Sequence, residues 1–394
     1  MSSFAVWYKR KSASKESRSE ADSATCTNAS VATDIHVNLW ESNICGRDDS
    51  SVYFDFGLMI EDVRDIENIY MYCPFEVNKS DVKDLGKCIL DNQSLVGAIF
   101  NENYRICSGE PRRLLVQSPA QISHQESDSV VGDKTCLKKE EEKGGFVIYS
   151  LDIVNDLDVK HIDDGGYKGT RLKITIEKIL MGKYGGSIKK VYKYYFRLRV
   201  AVKMSNLKLI FQRAKTISPF QSAFITTQVI DFRLNDLRSC TPLVRDEFAK
   251  GDHFSIRKIH YLLLRKTTDV FIHQGGEVSS RLLEKHLWES YISGLENNIV
   301  AYHFKKKTGN TSLSSSQTIN DYSILTRFEF ECINFRKILA YLYIVLYLGV
   351  VSEGATTLLE KLYPTELFFL CVGVSTFLFC IIIVLLYRER ADRE

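Results

Sequence analysis

The sequence predicts a mainly β cytosolic region, sandwich-like or barrel-like with few helices, followed by a C-terminal α-helical transmembrane hairpin. Apolar and polar residues alternate along many short segments after residue 145, which is typical of a sheet with one face on a core and one face in water. Two long apolar runs lie near the C-terminus, and the cysteines are scattered without a CxxC pair. The 394 residues allow one large domain or two ordinary ones.

Composition narrows the class of protein. The 52 Lys and Arg residues against 49 Asp and Glu leave a net charge of +3, so the whole chain has no strong nucleic-acid signal. Ten scattered cysteines indicate reduced thiols rather than a disulfide framework, and their spacing shows no zinc site. We therefore predict no metal and no cofactor.

The chain divides into five predicted segments. The first is polar and is predicted to be mobile apart from its apolar pieces FAVWY and IHVNLW. The third is rich in turn-forming residues. The predicted boundaries are 1–50 for the mobile N-terminal segment, 51–107 for an α+β subdomain, 108–144 for a polar loop or linker, 145–335 for the mainly β cytosolic domain and 336–390 for the two-helix hairpin.

Alternation is clearest in the stretch VYKYYFRLRV, which predicts a strand with two different faces. One face is apolar and the other is basic. The apolar set is Tyr192, Tyr194, Phe196, Leu198 and Val200, and the opposite set is Lys193, Tyr195, Arg197 and Arg199. Upstream, the DDGG of HIDDGGYKG suits a hairpin turn between two strands.

The hairpin prediction depends on two apolar runs. Residues 367–387 form 21 uncharged positions, about 31 Å of helix, which matches the hydrocarbon thickness of a bilayer. The first span is predicted at about 338–359 if Glu353 is tolerated near one end, and Pro364 breaks the helix between the spans. One span preceded by an interfacial helix is the alternative.

Basic residues flank the two predicted spans and set their orientation. Arg336 and Lys337 precede the first span, and Arg388, Arg390 and Arg393 follow the second. The positive-inside rule then places both termini in the cytoplasm. The predicted location is the inner or plasma membrane, with two spans and the lipid bilayer as a partner.

A basic segment suggests an anionic ligand. Residues 178–230 contain no Asp or Glu and eleven basic residues. On adjacent strands they would form a positive face that binds an anionic small molecule, a nucleotide messenger or anionic lipid. The alternative is a solvated face balanced by the acidic segment at 48–84. The candidate binding residues are Lys193, Arg197, Arg199, Lys208 and Arg213.

Polar and small residues in the predicted spans suggest a second site. Glu353 lies at the depth of Gly373 on the returning span, with Gly349 and Ser375 available for close helix approach and hydrogen bonding. These residues would line a polar seam or pore in a homo-oligomer assembled through the hairpin. The alternative is an interfacial carboxylate that ends the first span early.

No catalytic motif is present, and we do not predict an enzyme. The letters HIDDGG offer His161, Asp163 and Asp164 as acid–base or metal candidates, but a hairpin tip explains them equally well. His273 and the pair Asp231 and Arg233 would have to converge in the fold to form a site.

The order of parts resembles the two-transmembrane effectors of bacterial phage-defence systems. That resemblance implies a cytosolic sensor that controls membrane-disrupting helices in antiviral defence. The expected function is thus a membrane-anchored sensor or effector that binds a ligand or partner through its β domain. A membrane-tethered adaptor and a membrane-tethered enzyme with an unrecognised site are the alternatives.

Overall fold

The structure is a computed structural model of the chain. It describes residues 2–11, 30–41, 51–117, 145–180, 191, 193–214, 225–272, 277–292, 295, 297–308, 318–331, 335–361, 373–374, 376–378 and 381.

The described residues are mainly β, as the alternation predicts. The strands are β1 Ser3–Arg10, β2 Ala32–Glu41, β3 Ser51–Ile60, β4 Ile66–Cys73, β5 Val82–Asp84, β6 Arg105–Glu110, β7 Arg113–Gln117, β8 Gly145–Tyr149, β9 Leu157–Asp164, β10 Tyr167–Thr175, β11 Tyr194–Lys203, β12 Phe211–Ala214, β13 Ile225–Leu234, β14 Ser255–Lys266, β15 Val270–Ile272, β16 Val278–Leu282, β17 Ile299–Lys307 and β18 Tyr322–Glu331. The apolar pieces of segment 1–50 form β1 and β2.

Helices are few and mostly short within the described ranges. They are α1 Gly86–Asp91, α2 Ser94–Phe100, α3 Ile176–Leu180, α4 Pro242–Lys250, α5 Lys285–Trp288 and α6 Phe335–Lys361. Thr241 caps α4 by accepting from the Val244 backbone N–H, and Pro242 occupies the first helical position, where no backbone donor is needed.

The strands form two sheets. The eight-stranded sheet runs β15-β18-β13-β1-β4-β10-β9, with β12 beside β13. The ten-stranded sheet runs β16-β17-β14-β2-β3-β11-β8-β7-β6, with β5 beside β11. Most neighbours are antiparallel, but β1–β13, β2–β14 and β8–β11 are parallel pairs. Strands from 51–107 and from 145–328 share these sheets.

The main core lies between the two sheets, which makes the architecture a β-sandwich. Phe4 on β1 packs against Phe54 and Phe56 on β3, with ring centroids 5.2 Å apart in both pairs. Phe232 on β13 stacks on Tyr261 on β14 at 4.5 Å. Because successive side chains of a strand point to opposite faces, the apolar half of each pattern fills this core.

Short helices cover the face of the ten-stranded sheet that points away from this core, which we call the outer face. Leu85 and Ile89 near α1, Leu95 on α2 and Trp288 on α5 form a second buried cluster there. The predicted wet face of β11 is therefore buried over much of its length. The predicted hairpin turn is present, with Gly165 and Gly166 at φ values of 62° and 82° between β9 and β10.

The described chain divides into two compact units. The first comprises Met1–Gln212 and Gln228–Phe328, which hold most of both sheets. The second comprises Arg213–Thr227 and Glu329–Glu394 and contains α6.

The predicted transmembrane hairpin and membrane location are wrong. Among the described residues, no helix combines the length and the apolar character that crossing a membrane requires. The first predicted span lies inside α6, which begins before Arg336 and Lys337 and continues past Glu353 to Lys361. Glu353 is thus an interior residue of the helix rather than a residue at its end. Of the second predicted span, only 373–374, 376–378 and 381 are described.

Gly57 provides the space that Tyr195 occupies, so we expect Gly57→Ala to destabilise the fold. A Cβ at Gly57 would lie 2.2 Å from the Tyr195 hydroxyl oxygen, and Tyr195 is fully buried and cannot move aside freely. Overpacking of this kind costs about 1–3 kcal/mol, measurable by urea unfolding of the full chain.

Gly109→Ala is the matched control, because its new Cβ would meet Leu114 at an ordinary 3.7 Å. An equal loss of stability in both variants would contradict the claim that Gly57 is needed to make room for Tyr195.

Candidate functional site

The outer face of the ten-stranded sheet carries a continuous row of polar side chains, which we call the polar track. It runs from a buried charge cluster, through three histidines, to exposed lysines. Its members are Asp55, Arg199, Arg197, Asn38, Tyr195, His36, His260, His303, Lys258, Lys305 and Lys307.

Strand register brings these residues together. His36 on β2 lies beside His260 on β14, and His260 lies opposite Lys305 on β17. Two residues before His260 on β14, Lys258 lies opposite Lys307 on β17. Directly opposite residues of antiparallel strands have Cβ atoms about 4.5–5.5 Å apart, so the two pairs between β14 and β17 are in contact range on the same face.

Asp55 organises the buried end of the polar track. Arg199 Nε and Nη2 donate to the two Asp55 oxygens at 2.7 and 2.9 Å. Tyr291 OH and Trp40 Nε1 each donate to Asp55 Oδ2 at 2.7 Å. Burying a carboxylate is costly unless it accepts such hydrogen bonds, and Asp55 has no exposed surface.

Arg197 lies beside this pair and adds a second buried cation. Its Nε donates to Tyr291 OH at 2.6 Å and its Nη1 to Tyr195 OH at 2.5 Å. In the amide orientation that satisfies its neighbours, Asn38 Oδ1 accepts from Arg197 Nη2 at 2.8 Å. Burial by itself would lower the pKa of Arg197, but Tyr195 and Tyr291 outweigh it, so the pKa is raised. Two guanidinium groups and one carboxylate leave the cluster with one net positive charge.

A chain of hydrogen-bonding groups connects this cluster to the histidines. The Tyr195 hydroxyl accepts from Arg197, so its own proton can go to His36 Nδ1, 3.3 Å away. The His36 ring centroid lies 5.0 Å from that of His260. His260 Nδ1 lies 3.0 Å from His303 Nε2, so one of these nitrogens carries a proton and the other accepts it.

Burial and nearby cations keep the three histidines neutral. Burial lowers the pKa of His36 well below its usual value, and His260 and Arg197 lower it further. Burial, His303 and Lys305 lower the pKa of His260 to about 3. Burial and Lys305 also lower the pKa of His303. At neutral pH these rings are hydrogen-bonding groups rather than charges.

Three lysines crowd the exposed end of the polar track. Lys305 and Lys307 lie two residues apart on one face of β17, and Lys258 lies opposite Lys307. Lys258 Nζ is 3.5 Å from Asp34 Oδ2. Partial burial lowers the pKa of Lys305, and Lys307 and Lys258 lower it further through repulsion between like charges. The exposed end therefore places three lysines beside neutral imidazole groups, with the carboxylates of Asp34 and Glu102 close to Lys258 and Lys305.

The structure separates the five basic residues that the sequence grouped. Arg197 and Arg199 lie together but are buried, and Arg199 pairs with Asp55 from the acidic segment. Lys193 pairs with Glu61 at 2.9 Å. These pairs join the basic segment to the acidic segment, but the face that carries Arg197 and Arg199 is buried rather than solvated.

Lys208 and Arg213 lie elsewhere. Lys208 follows a short 3₁₀ helix, Met204–Leu207, and is exposed. Arg213 is exposed on β12, in the second compact unit. The remaining two candidates therefore do not join the polar track.

The candidates from the predicted hairpin lie in the second unit. Gly349 and Glu353 are exposed on α6, and Gly373 is exposed in a helical stretch. A Cβ built at Gly349 or Gly373 would meet nothing within 4 Å, so neither glycine is needed for a close backbone contact among the described residues. Ser375 lies outside the described residues.

The other chemical candidates do not form a site where they are described. Asp163 and Asp164 end β9 at the hairpin tip, and Asp231 pairs with Arg233 at 2.7 Å. His273 lies outside the described residues. In the described part of the chain, no group of three or more His, Cys, Asp and Glu side chains has metal-binding geometry.

Sequence reasoning missed the histidines and lysines of the polar track. The segments SIRKIHYLLLRK and NNIVAYHFKKK were identified as strands, and period-two alternation puts Lys258 with His260 and Lys305 with Lys307. These residues meet His36 only because β2 pairs in parallel with β14. That pairing connects residues more than 200 positions apart, so the local sequence does not indicate it.

No protein-family description and no curated protein sequence matches this chain.

Asp55 neutralises a buried cation, so we expect Asp55→Ala to cost about 3–5 kcal/mol of unfolding free energy. The variant leaves Arg197 and Arg199 buried without a carboxylate. Glu61→Ala is the control, because Glu61 pairs with Lys193 and Arg257 at a partly exposed position and should cost at most about 1 kcal/mol. Similar losses in the two variants, by urea unfolding, would refute the role of Asp55.

The neutral His260 should make the fold sensitive to acid. Its pKa is about 3 in the folded chain and near the ordinary 6.5 in the unfolded chain. Between these values the unfolded chain binds more protons, so stability falls as pH falls. We expect the drop in Tm between pH 7 and roughly pH 4.5 to be smaller in His260→Asn.

His286→Asn is the control for this measurement, since His286 is exposed on α5. If His260→Asn kept the full acid dependence of the native chain, the assignment to His260 would fail.

Proposed function

We propose that this chain is a binding protein for an anionic, phosphate-bearing small molecule, and that the exposed end of the polar track is its binding site. The lysines Lys258, Lys305 and Lys307 provide the charge, and His260 and His303 provide neutral hydrogen-bonding groups. The observation that carries the proposal is the crowding of these lysines on two adjacent strands.

Like charges on neighbouring side chains repel each other. The lowered pKa of Lys305 is a direct consequence of partial burial and of its neighbours Lys307 and Lys258. A bound phosphate group would turn this repulsion into attraction and would accept hydrogen bonds from several ammonium groups at once. Arg281 on β16 lies close enough to His303 to lower its pKa, and would add a fourth positive charge.

The histidines favour binding over catalysis. A general base works best when its pKa lies near the working pH, and His260, with a pKa of about 3, is a weak base at neutral pH. Its imidazole can still donate or accept a hydrogen bond. The buried cluster of Asp55, Arg197 and Arg199 holds the neighbouring strands in register and supports a pre-formed site.

Ligand sensing was one part of the function predicted from sequence, and it does not depend on the membrane hairpin. The predicted action on the membrane depended on that hairpin and is no longer supported. The resemblance to phage-defence effectors and the roles of adaptor or enzyme stay predictions that no residue of this site tests, although the membrane tether predicted for both roles is not supported.

Calorimetric titration of the full chain tests the proposal with inorganic phosphate, pyrophosphate and ATP at constant ionic strength. We expect binding that Lys305→Met weakens by roughly tenfold or more, because a charge-assisted hydrogen bond contributes about 1.5–3 kcal/mol.

Lys306→Met is the matched control on the same strand. Lys306 points to the opposite face, where its Nζ donates to the Asp321 carbonyl at 3.1 Å, so phosphate binding should persist. Absence of binding by all three ligands, or equal weakening in both variants, would refute the proposed site.

A further inference from the structure

Two carboxylates lie among the cations at the exposed end of the polar track. The first is Asp34 on β2, which shares a face with His36 two residues further along the strand. The register of β2 and β14 sets Asp34 beside Lys258, and its Oδ2 is 3.5 Å from Lys258 Nζ. The sheet therefore fixes one acidic residue next to a lysine of the proposed binding site.

The second carboxylate, Glu102, follows α2 on a loop that lies over the same face. Phe100 at the end of α2 packs against His36, with ring centroids 5.6 Å apart. Asn101 has a φ of 57°, which ends the helix, and its Oδ1 accepts a hydrogen bond from Arg281 Nη1 at 2.9 Å. Contacts on both sides of the loop thus hold it between the histidines and β16.

The electrostatics of neighbouring groups agree with this placement. Partial burial and the adjacent lysines lower the pKa of Lys305, whereas Glu102 raises it. Burial raises the pKa of Tyr104, and Glu102 and Asp34 raise it further. Both carboxylates therefore act on side chains at the exposed end of the polar track.

These two carboxylates offset half of the positive charge around them. The cations of the proposed site are Lys258, Lys305, Lys307 and Arg281. Once both carboxylates are counted, this group of side chains carries two positive charges. A phosphomonoester carries about 1.5 to 2 negative charges at neutral pH, so one phosphate group matches the charge that remains.

We infer that Asp34 and Glu102 determine the charge of the ligand, so that the site takes a phosphomonoester in preference to a diphosphate or triphosphate. The inference rests on the proposed function, because it concerns the same site. A fixed carboxylate repels every negative charge of a ligand, so the unfavourable energy grows with the number of phosphate groups. Specificity of this kind comes from a repulsive element as well as from the attractive lysines.

Calorimetric titration of the full chain with inorganic phosphate and with pyrophosphate, at constant ionic strength, tests the inference. We expect the native chain to bind phosphate more tightly than pyrophosphate. Asp34→Asn and Glu102→Gln should each tighten pyrophosphate binding roughly three- to fivefold, the range expected for one exposed charge pair, and should tighten phosphate binding less.

Each variant has a matched control that removes the same charge on the other sheet. Asp158→Asn is the control for Asp34→Asn, since Asp158 is exposed on β9. Glu76→Gln is the control for Glu102→Gln, since Glu76 pairs with Lys168 on β10 at 3.4 Å. Both controls should leave the two dissociation constants unchanged.

Two results would overturn the inference while the binding site itself stands. They are a native chain that prefers pyrophosphate, and variants that tighten pyrophosphate binding no more than their controls do. If neither ligand binds the native chain or any variant, the proposed function fails and the inference fails with it. Circular dichroism checks the fold of each variant, and Glu102→Gln, on an exposed loop, gives a valid test even if Asp34→Asn weakens the sheet.

Discussion

The outer face of the ten-stranded sheet depends on the hydrogen bonds that the buried Asp55 carboxylate accepts. It accepts two hydrogen bonds from Arg199 and one each from Tyr291 and Trp40. A buried Arg or Asp without its partner would be too costly to keep, so the network requires β2, β3, β11 and the residues after α5 to be in one arrangement. The charge cluster thereby specifies register where apolar packing alone would tolerate small shifts.

The same cluster affects the site at the other end of the polar track. Arg197 is not balanced by a carboxylate of its own, and its positive charge helps to lower the pKa of His36. Neutral histidines can approach each other closely, as His260 and His303 do at 3.0 Å. Charged histidines would repel each other. Burial first, and then the buried cation and the exposed lysines, keep the row of rings between them uncharged.

The two compact units carry different kinds of surface. The first compact unit holds a large buried apolar core and carries charged residues and histidines on one outer face. The second unit has the opposite character at α6, where apolar residues are exposed and the polar Tyr347 and Thr376 contact each other.

The sequence by itself determined the mainly β class, the hairpin turn at Gly165 and Gly166, and the alternation of faces in β11, because each follows from local backbone preference and period-two patterning. It could not decide the boundaries of α6, because an uncharged run does not reveal where a helix starts. It also could not decide which basic residues meet, because strand order is set by long-range pairing. Only the tertiary structure joined His36 to His260 and Asp55 to Arg199, since those contacts form when distant strands bury their apolar faces in a common core.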